Sequence, residues 1–257
     1  MSWWTAPWSW SSIGLATLLG LALCEVNLLL TSAVLHRGMT HRAVSYPRWL
    51  ERGVALWLYG TACVPILTWI AAHKHHHANA DREGDPHSPV LHGVWRVLLL
   101  TWYYVPRWSR AHRDYSESHY LRPYRGERLL HLLDRTGPAY ANFWVQLVGS
   151  VLLGPAMTAF WIVRVVPYML ASGYINSVGH AYGARPYDNL GTDAERPWQK
   201  LFGYLIAGEP LGHNFHHRFP RSPTFRPDGP DPGHWFAVRL LRGVPAPIPE
   251  RVAAEGR

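Results

Sequence analysis

Long apolar runs alternate with histidine-rich polar segments along this chain. The first run, 13–35, is long enough to cross a hydrocarbon core about 30 Å thick, which takes about 20 residues. Trp3, Trp4, Trp8 and Trp10 precede it with no basic residue among them, the pattern of an interfacial anchor rather than of a signal peptide. A second run covers 53–72. The third and fourth, 139–153 and 156–175, are separated by Gly154-Pro155, a turn signal that predicts a helical hairpin.

Composition moves the chain away from the ordinary soluble class. Its 257 residues are 48% hydrophobic with 14 Trp and only 16% charged, so a membrane protein is expected. The formal charge of +8 is carried by arginine, Lys74 and Lys200 being the only lysines. Cys24 and Cys63 are too few and too far apart for an iron–sulfur cluster or a zinc knuckle, so no built-in electron carrier is visible.

Histidines sit where the apolar runs end: His36 and His41 in HRGMTH, His73, His76 and His77 in HKHHH, His213, His216 and His217 in HNFHH, with His180 in NSVGH. Neutral imidazole is the commonest metal ligand, and spacings of three or four residues share a helical face. The set exceeds what one four-coordinate zinc uses, so two ions are the economical reading. His36 and His41 would diverge by about 140° on an unbroken helix; Gly38 lets the helix end there, and the two can then serve different ions. His73 with His77 and His213 with His217 form i, i+4 pairs, while His76 and His216 can reach across to a second ion. His75 points away from that face. Neutral nitrogen ligands with positions left open suit redox-active iron better than a closed structural zinc site.

Sidedness follows from arginine, since short basic loops remain cytoplasmic. Residues 1–12 and the 154–155 turn have no arginine, whereas 82–135 and 185–226 are rich in it, which puts the histidine segments on the cytoplasmic side of a cell membrane. A straight crossing by 53–72 would separate the first two histidine segments by a bilayer. Gly53, Gly60 and Pro65 instead predict a broken, re-entrant or interfacial path. The expected fold is an all-α integral membrane protein, a multi-pass bundle of about three crossing helices plus that re-entrant element, capped by a cytoplasmic histidine-box region. A membrane domain over 1–225 is followed by a Pro/Gly-rich tail, 226–257, too poor in apolar residues to order itself fully beyond a short helix at 235–241.

The segments HRGMTHR, HKHHH, DPHSP (85–89), NSVGHAYGARPYD (176–188) and GEPLGHNFHHRFP (208–220) occur in this order within residues 25–220. They resemble the membrane-bound fatty acid desaturase family, in particular its acyl-thioester Δ9, stearoyl-CoA desaturase-like branch and the shortened bacterial type. The resemblance implies a histidine-box di-iron enzyme that uses O2 and two electrons to remove two hydrogens from an acyl chain. It implies as ligands His36, His41, His73, His76, His77, His180, His213, His216 and His217, with Asn176 holding one iron through a water and no further catalytic side chain. Asp85, His87 and Glu209 are then candidate partners of the ligating imidazoles. Trp69 falls where the family lines its substrate tunnel, and Lys74 and Arg185 join it as candidate substrate-binding residues. Electrons would come from an external donor such as ferredoxin, rubredoxin or cytochrome b5 with its reductase.

Two departures bear on substrate. The branch usually places two crossing helices before the first histidine segment, and here there is room for one. Where acyl-CoA members often carry Arg-Asp, this chain has Ala71-Ala72, so a carrier-protein thioester or another lipid stands beside acyl-CoA. Other readings are a histidine-box lipid hydroxylase, ketolase or acetylenase and, in different classes, a His-rich membrane metal-binding or transport protein or a degenerate, non-catalytic interaction partner. A transporter calls for ionisable groups inside its spans, for which Glu25, Asn27 and Arg164 are the candidates.

Overall fold

The computed structural model describes residues 9–135 and 139–247; Trp3, Trp4, Trp8 and 248–257 lie outside the described residues. Helix α1 (Trp10–Leu30) starts where Ser9 accepts the Ser12 N–H and runs without interruption into a π-helical segment, Thr31–Thr40. It packs along α9 (Pro155–Ala181), and the two are long and apolar enough to cross a membrane. They close tightly at Gly20, where a Cβ would lie 2.7 Å from the Phe160 carbonyl oxygen. Leu15, Leu18, Ile162 and Val166 remain exposed on their outer faces, as lipid contact requires.

The second apolar run is broken. Helices α2 (Arg48–Ala62) and α3 (Ile66–Asn79) meet at 97°. The break differs in detail from expectation: Gly53 and Gly60 lie inside α2, where a glycine costs only about 1 kcal/mol. Cys63 ends the helix by taking a left-handed φ of 56°, and Pro65 stands just before α3. Such a break exposes orphan backbone groups that hydrocarbon cannot satisfy, and neighbouring helices supply the partners. Asn142 and Gln146 of α8 (Ala139–Leu153) donate to the Tyr59 and Gly60 carbonyls at 2.6 and 2.7 Å. Asp134, at the end of α7 (Arg128–Arg135), accepts the Leu67 and Thr68 N–H groups at 3.1 and 2.7 Å.

Between these lie α4 (Pro89–His92), α5 (Val94–Ala111) and α6 (Arg113–His119). The hairpin at Gly154-Pro155 forms as expected, with Gly154 at φ 102° joining α8 to α9. At 15 residues α8 is shorter than a full crossing of about 20. Helices α10 (Pro197–Leu205), α11 (His213–Arg218) and α12 (Pro232–Trp235) follow.

The Pro/Gly-rich tail is more ordered than its composition predicts. Strand β2 (Val244–Pro245) pairs antiparallel with β1 (Val44–Ser45), and Ala237 is buried. Polar contacts supply what apolar burial does not. Asp231 accepts both from Arg37, fully buried in the π-helical segment, and from the Phe225 and His234 N–H groups.

Candidate metal centre

The π-helical segment sets the first histidine pair. Its hydrogen bonds run from residue i+5 to i, and the His41 N–H bonds the His36 carbonyl at 3.1 Å. The pair therefore sits one turn apart with ring centroids 4.9 Å apart, instead of diverging. Gly38 does not end the helix; it lies within it, where a Cβ would meet the Tyr46 ring at 2.9 Å. The expectation that His36 and His41 serve different ions is thereby corrected. Both join His73 and His77 of α3 and His216 of α11 in a group whose nitrogens all lie within 4.8 Å of one another.

A second group holds His76, His180 and His217, again within 4.8 Å, and the His213 Nε2 lies 3.1 Å from the His180 Nε2. The arrangement is crossed: the α3 pair His73/His77 takes its third nitrogen from α11, and the α11 pair His213/His217 is joined by His76 from α3. Asn176, one turn before His180 on α9, is buried on the wall of the adjoining cavity. His75 points elsewhere, packed against Trp108 with its Nδ1 3.2 Å from the Tyr120 hydroxyl.

Buried carboxylates orient three of these rings. His76 Nδ1 meets Asp85 at 2.9 Å, His180 Nδ1 meets Asp81 at 2.9 Å, and His36 Nδ1 meets Glu209 at 2.8 Å. Burial pushes each acid up, but the adjoining histidines, with Arg37 at Glu209, outweigh it and leave all three below the ordinary carboxylate range. An ionised carboxylate can only accept, so in His76 and His180, which are hydrogen-bonded to theirs, Nδ1 carries the proton and the lone pair is left on Nε2. The Nε2 atoms of His76 and His180 are nevertheless 3.1 Å apart, two acceptors face to face. In the first group His41, His73, His77, His216 and His36 form a chain of Nε2 contacts at 3.0 Å. Burial, followed by neighbouring histidine and basic side chains, holds His41, His213, His216 and His217 well below the usual imidazole pKa, hence neutral. Converging neutral lone pairs repel unless a cation lies among them, so the donor set fits two transition-metal ions.

Asp85 and Glu209 thus lie against the His76 and His36 rings, and Asp81, which sequence reasoning missed, lies against that of His180, although it stands i, i+4 to Asp85 in the same loop. His87 behaves differently. It is 2% exposed, packs its ring 4.4 Å from that of His76, and neither of its nitrogens has a hydrogen-bond partner. Burial, then the adjacent His76, brings its pKa down to about 3.

A cavity of about 360 Å³ adjoins the imidazoles, within the usual range for small-molecule sites. His36, His73, Asn176 and Glu209 are among its polar lining and Phe143, Tyr168 and Met169 among its aromatic and apolar lining. Trp69 lines it and stacks on His73 with an interplanar angle of 7°. Lys74 and Arg185 do not line it: Lys74 donates to the Tyr120 carbonyl and Arg185 to the His180 carbonyl. Within the bundle, Asn27 accepts from Trp57 and Thr61, and Arg164 donates to Gln146, so these intramembrane polar groups bind neighbouring side chains.

Comparison with known proteins agrees with this geometry. The family model "Fatty acid desaturase" matches residues 8–226. The chain is similar to the "Hex-5-enoyl-[acyl-carrier protein] acetylenase" of Moorena producens (strain JHB), 27% identical over 82% of this chain and 68% of the relative. It is 30% identical to the "Acyl-CoA C20 Delta5-desaturase" of Anemone leveillei, over 84% of this chain and 66% of the relative. For the "Delta-9 acyl-lipid desaturase 2" of Arabidopsis thaliana the figures are 29%, 73% and 58%, so the chain spans about two thirds or less of its relatives' length.

Proposed function

This chain belongs to the fatty acid desaturase family, and we propose that it is an O2-dependent di-iron oxidoreductase that introduces a double bond into a fatty acyl chain. The observation that carries this reading is the opposition of the His76 and His180 Nε2 lone pairs, each ring fixed from behind by its own carboxylate. His36, His41, His73, His77 and His216 would hold one iron; His76, His180, His213 and His217, with Asn176 through a water, would hold the other. Bound there, the iron pair supplies the oxidising chemistry by which O2, two electrons and two protons become two waters as an acyl CH2–CH2 becomes CH=CH.

The protein's own contribution is placement. Asp81 and Asp85 keep the His180 and His76 imidazoles in the Nδ1–H tautomer, so that Nε2 is available as a donor to metal, and Glu209 packs behind His36. Trp69, stacked on His73, and the apolar wall hold the chain beside the imidazoles and keep bulk water from it. Electrons come from an external carrier. An acidic one suits the arginine-rich segment 82–135, and turnover with ferredoxin should then fall as salt rises.

The proposed topology has three crossings, α1, α8 and α9, with α2–α3 entering and returning. Its support is that α2 begins seven residues after His41 and α3 carries His73, His76 and His77 in its last two turns, so both ends of the pair meet at the imidazoles. The arginine distribution then favours a cytoplasmic cap. Residues 1–225 make up the membrane domain, and the tail from 226 is a strap across its first histidine segment. The similarity to an acetylenase favours one second reading, continued oxidation of alkene to alkyne.

Expression in a host with few fatty acid species, followed by mass spectrometry with double-bond localisation, tests the reading. A product lighter by two hydrogens is expected, and a product heavier by one oxygen would show a hydroxylase instead.

A further inference from the structure

The wall of the cavity bears on who presents the acyl chain. Helix α9 forms its back, with Tyr168 and Met169; α5 lies to one side, with Trp102 and Pro106, and α8 to the other, with Trp144. The two tryptophans line the cavity and are also 45% and 56% exposed, so they mark its mouth. Each belongs to an exposed apolar stripe. On α5 it is Trp95, Leu99 and Trp102; on α8 it is Trp144, Val148 and Val151. These are successive turns of one helical face in each case. The α5 stripe shares its helix with exposed Arg96, Arg107 and Arg110, the composition of a helix lying in a membrane interface. The mouth therefore opens where two lipid-contacting faces meet.

Charge separates the candidate carriers. Among the described residues that line the cavity there is neither arginine nor lysine, and its titratable groups are three histidines, Glu209, Cys63 and Tyr168. Coenzyme A would bring its nucleotide end, with three phosphates, from the aqueous side, whereas this mouth lies between exposed apolar stripes and no cation lines it. A phospholipid needs only one phosphate accommodated at headgroup level, and Arg107 and Arg110 stand exposed further along α5, where such a phosphate lies.

Resting on the desaturase reading above, we infer that the acyl chain enters sideways from the bilayer between α5 and α8 while still esterified to a phospholipid. The headgroup stays at the α5 interface and only the chain passes Trp102 and Trp144 to reach the imidazoles.

Iron-loaded protein in nanodiscs of phosphatidylcholine carrying one perdeuterated acyl chain tests this, with ferredoxin, ferredoxin reductase and NADPH as the electron source. Parallel arms present the same chain as acyl-CoA and as acyl-carrier-protein. Loss of two deuteriums from the chain while it remains in intact phospholipid supports the inference. Desaturation in a thioester arm with none in phospholipid overturns it and leaves the desaturase reading standing. A second measurement needs no turnover: phosphatidylcholine with a diazirine at the acyl terminus is photolysed in the nanodisc. Adducts on cavity-wall peptides of α9 around Tyr168 and Met169 support lateral entry, even if no arm gives product and the desaturase reading falls. Adducts confined to the outer faces of α1 and α9 overturn it.

Discussion

Arg37 and Asp231 lie 194 positions apart in sequence and meet through two contacts of 3.0 Å, from one guanidinium nitrogen to both carboxylate oxygens. Arg37 adjoins His36, so the tail is fastened to the first histidine segment. Removing one partner of a buried pair leaves an uncompensated charge, at a cost of about 3–5 kcal/mol. Asp231→Ala should therefore unfold at clearly lower temperature in detergent than the parent chain, with Asp231→Asn between them. Equal melting temperatures would show that the strap carries no stability.

Asp81→Asn and Asp85→Asn each leave a neutral amide behind a ring that now donates to a carboxylate. An amide can donate as well as accept, so the ring is no longer held in one tautomer. Loss of such a partner typically costs about 10–100-fold in metal affinity. Iron titration should show that loss while circular dichroism reports unchanged helicity. Unaltered affinity in both variants would remove these carboxylates from any role at the centre.

Iron-free protein should lose stability in mild acid. Burial and neighbouring imidazoles hold His213, His216 and His217 below the ordinary imidazole value in the folded chain. Between that depressed value and about 6.5 the unfolded chain binds more protons than the folded one, so stability rises with pH across the window and levels off above it. Thermal melts of iron-free protein should move downward from pH 7.5 to pH 5.5. An upward shift would contradict the neutrality of the cluster.

Asp134 caps α3 from another helix. Its loss strands two backbone donors at a break among apolar helices, where a lost cap costs about 0.5–2 kcal/mol and hydrocarbon offers no substitute. Asp134→Ala should speed amide exchange at Leu67 and Thr68 ahead of the rest of α3. Uniform exchange along α3 would mean that the break is held by other contacts.

Much of the centre was legible because helical spacing is a local property: His73/His77 and His213/His217 could be paired from the sequence, and Gly154-Pro155 announced its hairpin. His36 and His41 were misjudged because a π-helical stretch changes the angular step, and HRGMTH has no residue that signals one. Of the three expected breakers only Pro65 stands at the break, because glycine is tolerated inside α2 and Cys63 took the left-handed conformation. The order of the tail depends on Arg37 and Asp231 meeting across the fold, which composition does not register.

Two groups of imidazoles, His36/His41/His73/His77/His216 and His76/His180/His213/His217, are each proposed to hold an iron ion. Metal analysis of protein purified after iron-replete growth, joined to Mössbauer spectroscopy of 57Fe-enriched material, tests this most directly. The account predicts two irons per chain in nitrogen-rich, non-haem environments, falling to near one when His76 and His180 are both replaced by alanine. Iron well below one per chain in folded parent protein, or a preference for zinc under the same growth, would contradict it.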